Sequence, residues 1–468
     1  MTINQPAPAA SIPPRLGLWD AVSIIVGIVV GTAIFRSTGG VFHSAGGPWG
    51  AMGLWLVGGL LTLCGALTYA ELATTYPRDG GDYEYLSRAF GPWCGFLFAW
   101  IQLTAVISGN IAIMAYAFAD YGLRIWPELK EQTVWLTVAP VVALSGLNAC
   151  GVVAGKAAQN LLTAAKVVGL SAVVLAALFI GGAKPQAEAT AAIASTTNFG
   201  LALVFVLYAY GGWGHAVFVA AEVRDQRRNL PRALILAMLG ITLIYLAVNA
   251  AYLHVLGFER ARQTPTPAAD VLESVCGQWG GRAVSVLVML SALGAINGMI
   301  LTGTRVYATW GEDYPAFSWL GRWNRRVASP IHAIAVQAAV AVMLILLVGT
   351  AAGRNSFDAV LHSIGASGLP WDQYFGGFEM LVAGSAPVFW GFFFLGGLAA
   401  FVLRTKDPAV ERPFMIPLYP LPPLVFCASS LWMLYSSLEY ARWLTLIGVV
   451  PLAVGAAQLP FVRRQTAA

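Results

Sequence analysis

Charge is what this sequence has least of. Asp, Glu, Lys and Arg together make up 10% of its 468 residues, against roughly 25% in a soluble domain. A soluble globular protein is thereby excluded. Cysteine is scarce as well. Cys64, Cys94, Cys150, Cys276 and Cys427 are scattered in or beside apolar stretches with no paired or metal-like spacing. That excludes a disulfide framework or a zinc site and leaves them as small buried hydrophobes. The histidines, His43, His215, His254, His332 and His362, form no H-E-x-x-H or similar cluster. The nearest approach to a phosphate-binding loop, GVVAGKAA at Gly151–Ala158, is one residue short and has no Ser or Thr after Lys156. No polar stretch is long enough to house a soluble catalytic domain, so neither an enzyme nor a cofactor is expected.

What the sequence has is apolar length. Hydrophobic residues make up 58% of it and the mean hydropathy is +0.70. Runs long enough to cross a hydrocarbon core of ~30 Å recur along nearly the whole chain. About twelve are expected: Trp19–His43, Ala51–Tyr76, Trp93–Tyr121, Val134–Val153, Leu161–Ile180, Phe199–Val219, Ala233–Leu256, Ala283–Trp310, Ile331–Gly349, Phe378–Leu403, Leu421–Leu438 and Trp443–Phe461. The expected fold class is an all-α integral membrane protein in the lipid bilayer. The Pro/Ala-rich start lacks the basic-then-apolar order of a removable leader, so none is expected.

Lys and Arg set the orientation. With the N-terminus inside, the cytoplasmic loops hold Arg78, Arg88, Arg224, Arg227, Arg228, Arg232, Arg322, Arg325, Arg326, Arg404, Lys406, Arg412, Arg463 and Arg464. The outer loops keep only Arg124, Lys130, Lys184, Arg260, Arg262, Arg354 and Arg442. This bias predicts both termini in the cytoplasm; the plasma (inner) membrane is the expected location. The net charge of +5 is then mostly a topogenic signal, and no nucleic-acid partner is implied.

Two spans carry breaks. The first contains GIVVGTAIF, in which Gly27 and Gly31 are spaced G-x-x-x-G. One reading is close helix packing; the other is an interruption whose freed backbone groups serve a ligand or cavity. The sixth span contains Gly211, Gly212 and Gly214 around Trp213, five spans later. Glycine-interrupted segments at matching places in two halves are the best sequence pointer to a transporter binding site. Spans 1–5 and 6–10 then read as inverted repeats, with spans 11 and 12 added outside them. Where a helix stops in mid-membrane, free N–H groups face one way and free carbonyls the other. Two such breaks suit a zwitterion such as an α-amino acid.

Five further stretches, in order, are GTAIF, YAELATTYPRDGGDYEYLSRAFGP (Tyr69–Pro92), YAYGGWGHAVFVAAEVRDQRRNLPRAL, LSALGAINGMILTGTRVYA (Leu290–Ala308) and RPFMIPLYPLPPL (Arg412–Leu424). With these the chain resembles the amino acid–polyamine–organocation transporters, and among them the L-type amino-acid transporter group with its bacterial relatives. The resemblance implies a LeuT-type five-plus-five inverted repeat plus two helices, moving amino acids by alternating access as an exchanger or proton-coupled transporter. It divides the chain into a disordered cytoplasmic N-terminus (1–15), a first repeat (16–182), a second repeat (198–404), spans 11–12 (405–462) and a cytoplasmic tail (463–468). Carried over by position, amides around Gly31, Thr32 and Ala33 receive a substrate carboxylate. Carbonyls of Val29, Tyr208, Ala209 and Gly211 receive its ammonium, with Gly212 beside them. Tyr208 falls at an aromatic gate, and Trp213 is placed with it. Lys166 matches a fifth-span lysine near the first span.

Lys166 also stands out alone, because a lysine at the centre of a spanning helix costs roughly 2.5–3.5 kcal/mol on insertion scales. A role in coupling is expected, the alternative being a side chain that snorkels to an interface. Arg36, one turn past the first break, is either a vestibule guanidinium that steers carboxylates or a residue that snorkels outward. His215 either lines the pocket and makes transport pH-sensitive or is a core histidine bonded to a neighbouring helix. Glu71 and Glu222 read as inner-gate or structural ion-pair residues. Residues of spans 3, 8 and 10 are expected to shape the pocket, and the run Thr350–Met380 to cover an outer vestibule. The loop YGLRIWPELKEQT has no cysteine, whereas human-type members of the group use one there to bind a heavy-chain glycoprotein, so no disulfide-linked heavy chain is expected. A polyamine or cationic-amine exchanger would want carboxylates beside the breaks. A non-transporting amino-acid sensor would want a signalling domain or a large tail.

Overall fold

In hydrocarbon, a main-chain amide or carbonyl has no water to turn to, so a chain this apolar must close its hydrogen bonds within helices. The computed structural model bears this out. It describes residues 15–179, 198–264, 266–277, 279–324, 326–363, 368, 371, 377–462 and 464–465. Most of the expected disordered N-terminus and of the C-terminal tail, and part of the 350–380 run, lie outside these.

The helices in chain order are α1 (Leu18–Val29), α2 (Ala33–Arg36), α3 (Thr38–Ser44), α4 (Pro48–Thr75), α5 (Asp82–Phe90), α6 (Pro92–Ile101), α7 (Ile107–Ile125), α8 (Thr133–Ala149), α9 (Val152–Phe179) and α10 (Phe199–Ala209). They continue as α11 (Gln226–Gln263), α12 (Pro267–Cys276), α13 (Trp279–Asp313), α14 (Ile331–Gly349), α15 (Ala351–Ser363), α16 (Gly377–Lys406), α17 (Leu421–Ala441) and α18 (Leu446–Gln458). Among the described residues β structure is limited to two isolated bridges. Among the described residues, nine runs are long and apolar enough to cross a membrane. The difference from about twelve has three sources. The first span is interrupted after Val29, α8 is 17 residues long with Pro140 inside it, and Leu421–Gln458 is one run that turns at Arg442 (φ 46°) into two helices.

The centre of the bundle is α7 and α13, the latter buried over nearly its whole length. Around them the outward faces carry Val168, Leu175 and Leu178 on α9, Leu236, Leu239 and Leu243 on α11, and Leu431, Trp432 and Leu438 on α17, all exposed. An apolar surface of this extent belongs against lipid acyl chains. Exposed Trp19, Trp49, Trp135, Trp279 and Trp443 lie at or just beyond helix ends, where indole rings favour the membrane–water boundary.

One end of the bundle is laced by ion pairs and holds both described chain ends. The amides of Arg15 and Leu16 donate to the Glu222 carbonyl at 3.0 Å each. The Glu222 carboxylate in turn pairs with Arg305 at 2.7 Å, with both side chains buried. Asp79 accepts the Ala221 amide at 3.0 Å. Its neighbour Arg78 grips Asp313 at 2.6 Å, and Asp313 also takes Arg464 at 2.5 Å and the Tyr83 hydroxyl at 2.7 Å. Glu71 pairs with Arg404 at 2.5 Å and accepts the Ile416 amide at 2.7 Å. Glu71 and Glu222 are thus both ion-paired here. Removing one partner of a buried pair strands the other charge, at a cost of about 3–5 kcal/mol. Arg305→Ala should therefore lower the unfolding temperature in detergent sharply, and adding Glu222→Gln should restore most of it, as read by thermal unfolding of both variants.

Candidate binding site between two broken helices

The first break spans three residues. α1 closes with the Val30 amide on the Val26 carbonyl at 2.9 Å; Val30 then leaves helical geometry (ψ 64°), and the Gly31 amide turns back to Val29 O at 2.7 Å. Helix resumes at Ala33 and runs through α2 and α3, since Ser37 between them keeps helical angles (φ −82°, ψ −20°). The first amides of the resumed helix have no partner within it and point back into the break.

The second break follows α10. The Gly211 amide bonds the Tyr208 carbonyl at 3.1 Å, and Gly212 adopts φ +103° before the 3₁₀ segment Trp213–Glu222. A Cβ on Gly212 would stand 2.7 Å from Cγ2 of Ile28. Both the backbone angle and the approach of the first break therefore require glycine. Gly27 has a different task. A Cβ there would strike the Gln159 side chain and come within 2.6 Å of Thr163 Oγ1, so Gly27 admits α9 close to α1. Of the G-x-x-x-G pair, Gly27 packs helices while Gly31 lies in the break.

Two side chains satisfy the carbonyls that the breaks set free. Lys166, fully buried, donates from Nζ to Gly27 O at 2.7 Å, Val30 O at 2.9 Å and Ser291 O at 3.1 Å. An ammonium has three donors, and these contacts use them all. The negative end of the α1 dipole further favours a cation there. Tyr245 of α11 places its hydroxyl 3.0 Å from both Val29 O and Ala209 O, its one proton shared between the two breaks.

Between the breaks lies a cavity of about 810 Å³, part of it open. Its walls include Val29, Gly31, Thr32 and Ala33 from the first break and Tyr208, Gly211, Gly212 and His215 from the second. These eight expected residues are brought together. Ala209 lies behind the wall, its carbonyl taken by Tyr245. Trp213 is buried in an aromatic cluster with Tyr69, Phe393 and Phe426 at centroid distances of 5.1–5.8 Å, beside the cavity. Lys166 stands behind the first break. The Arg36 side chain lies outside the described part of the structure. His215 lines the cavity and also meets Thr302 Oγ1 from Nδ1 at 3.1 Å. Because the Thr302 hydroxyl gives its proton to Gly298 O at 2.8 Å, the ring nitrogen must be the donor, which leaves Nε2 as an acceptor.

The remaining wall comes from α1 (Ile28), α7 (Asn110, Met114), α13 (Ala295, Met299) and α16 (Val382, Ser385, Ala386, Phe389, Trp390). Sequence reading reached those spans but not those residues. Apolar periodicity in a central span does not mark which face looks into a cavity when nearly every face is buried. Asn110 and Ser385 are polar residues within apolar helices, and that is the signal that could have found them.

Gly212→Ala places a residue at positive φ against Ile28 and should cost about 1–3 kcal/mol. Gly31→Ala, whose Cβ meets nothing closer than 3.4 Å, should cost less. Thermal unfolding of the two variants side by side checks that order.

The profile of the amino acid permease family matches residues 16–463 of this chain. The serine/threonine exchanger SteT of Bacillus subtilis (strain 168) is 27% identical over 427 residues, covering 91% of each chain. The human Asc-type amino acid transporter 1 is 30% identical over 359 residues, 74% of this chain and 68% of that one. The human cystine/glutamate transporter is 27% identical over 449 residues, 94% of this chain and 83% of its own. The family profile and the SteT match run along nearly the full length of the chain that forms this bundle. The chain belongs to the amino acid permease family of the amino acid–polyamine–organocation superfamily: it is a multi-pass membrane transporter and not an enzyme.

Proposed function

We propose that the protein is a secondary transporter of neutral α-amino acids that clasps its substrate as a zwitterion between the two breaks. The observation that carries this reading is that both breaks face one cavity. Amides at Thr32 and Ala33, at the start of the resumed helix, take the carboxylate; carbonyls at Tyr208 and Gly211 take the ammonium. No Asp, Glu, Lys or Arg lines that cavity among the described residues. A charged substrate side chain would therefore find no counter-ion, which also disfavours a polyamine cargo. Residues 16–182 and 198–404 act as the two inverted repeats, 405–462 as the added pair of helices, and the pocket opens alternately to either side. The excess of Lys and Arg in the loops on the side of the termini supports cytoplasmic ends in a plasma membrane, and Arg15 and Gln465 are tied to that same ion-paired end. No covalent heavy chain is required.

Lys166 acts in coupling. Its ammonium pins the end of α1 to α13 through main-chain carbonyls alone, so any loss of those bonds frees the break to move. Proteoliposomes loaded with unlabelled amino acid should take up the labelled form by counterflow, and absence of counterflow for all twenty would overturn the reading. Lys166→Ala should slow counterflow by about tenfold or more while changing substrate affinity by less than about threefold, a separation of roughly 1.4 kcal/mol per decade. Wild-type turnover in that variant would remove the coupling role.

A further inference from the structure

A second cavity adjoins the first and shares Gly212, His215 and Phe389 with it. It lies towards the ion-paired end, since Phe218 in its wall accepts the Gly80 amide at 3.0 Å, one residue from Asp79. Phenylalanines from α6, α16 and the 3₁₀ segment make up half of its lining residues, with Gln102 and His215 beside them. Its one carboxylate is Asp82. Gly80 and Gly81, at φ +95° and +50°, turn the chain so that Asp82 opens α5 buried at the cavity's edge. Oδ1 of Asp82 accepts the Tyr69 hydroxyl at 2.5 Å. Among the described residues it forms no ion pair, unlike Glu71, Glu84, Glu222 and Asp313, which all do.

A buried carboxylate whose donors, the Tyr69 hydroxyl and its own main-chain amide, are neutral, with no cation beside it, is costly when ionised. The groups around it offer no counter-charge. Tyr69 comes from α4, Tyr85 and Glu84 from its own helix, Cys427 from α17 beside Tyr69, Asp79 from the preceding loop and His215 from the second break. α16 presents Gly396 and phenylalanines. Burial pushes the Asp82 carboxyl up to about 7, the Tyr69 hydrogen bond acting in the opposite sense. Glu222 is already neutralised by Arg305, and Asp79 faces that pair without lining the cavity.

We propose that Asp82 is the proton site of this transporter, lying between the amino-acid pocket and the ion-paired end. This rests on the transport reading above. With the pocket open to the far side, water entering the adjoining cavity past the shared residues Gly212, His215 and Phe389 delivers a proton to the Asp82 carboxylate, while the ion-paired end stays shut. When the ion-paired end opens, water reaches Asp82, the proton leaves to that side, and the amino acid leaves with it. One proton thus enters and one departs per substrate. The site is invisible to a search for mid-span carboxylates, because Asp82 belongs to a loop helix that folds under the pocket.

The test uses full-length protein in liposomes with the amino acid that gives the strongest wild-type counterflow. Wild type should accumulate it down a proton gradient, and substrate addition should shift the internal pH. Both signals should vanish in Asp82→Asn, which mimics the neutral acid. Tyr69→Phe removes a hydrogen bond to the charged form, so the pH midpoint of uptake should move upward. This second variant decides the matter should Asp82→Asn fail to fold. Gradient-driven accumulation and proton movement surviving in Asp82→Asn would overturn the proposal. So would their loss in Asp79→Asn alone, or a Tyr69→Phe midpoint unchanged or lowered. If Asp82→Asn instead abolished binding of lysine or arginine, Asp82 would be a side-chain subsite and the proton role would fall. Absence of counterflow in wild type would count against the transport reading itself.

Discussion

A main-chain carbonyl in hydrocarbon must find a donor, and this constraint organises the molecule. Each unsatisfied group costs several kcal/mol, so an interrupted helix in mid-bundle survives only where other groups close the open bonds. Here the donors are few and identifiable. Lys166 takes Gly27 O, Val30 O and Ser291 O, and Tyr245 bridges Val29 O and Ala209 O across the two breaks. Residues of both breaks also line the cavity, where a substrate can add hydrogen bonds of its own.

The first span is held by more than Lys166. Along one face of α9, Lys156 and Asn160 bond Asp20 at 2.8 Å each, and Thr163 bonds Ser23 O at 3.0 Å. Lys166 completes the series. These residues recur every three or four positions, the spacing that keeps side chains on one face of a helix. Gln159, on the same helix, accepts from Asn297 of α13 at 2.8 Å, and Asn297 accepts from Asn148 of α8 at 2.8 Å. The polar series thus ties α1 to a frame of α8, α9 and α13, while Gly27 lets the helices approach closely enough for it to form. Rigid backing on one side of the break and an open cavity on the other are what a gated binding site requires.

Much of this was legible in the sequence. The spans were set by apolar length, the breaks by glycine spacing, and Lys166 by the cost of a charge in a spanning helix. The residues that escaped did so for physical reasons. Tyr245 looks like any aromatic in an apolar span, and only three-dimensional packing puts its hydroxyl between two carbonyls. Asp82 sits in a segment that reads as an ordinary polar loop, yet two positive-φ glycines turn it under the cavity. Ala209 and Trp213 are neighbours of cavity residues in sequence, but their carbonyl and ring face Tyr245 and the aromatic cluster instead.

The central claim is that the two breaks recognise both charged ends of an α-amino acid through main-chain groups. Competition binding on the purified protein tests it most directly, comparing the preferred amino acid with its carboxamide and its N-acetyl derivative. Loss of either charge should weaken binding by about 100-fold, close to 2.7 kcal/mol. Equal affinity for the amino acid and either derivative would contradict the account.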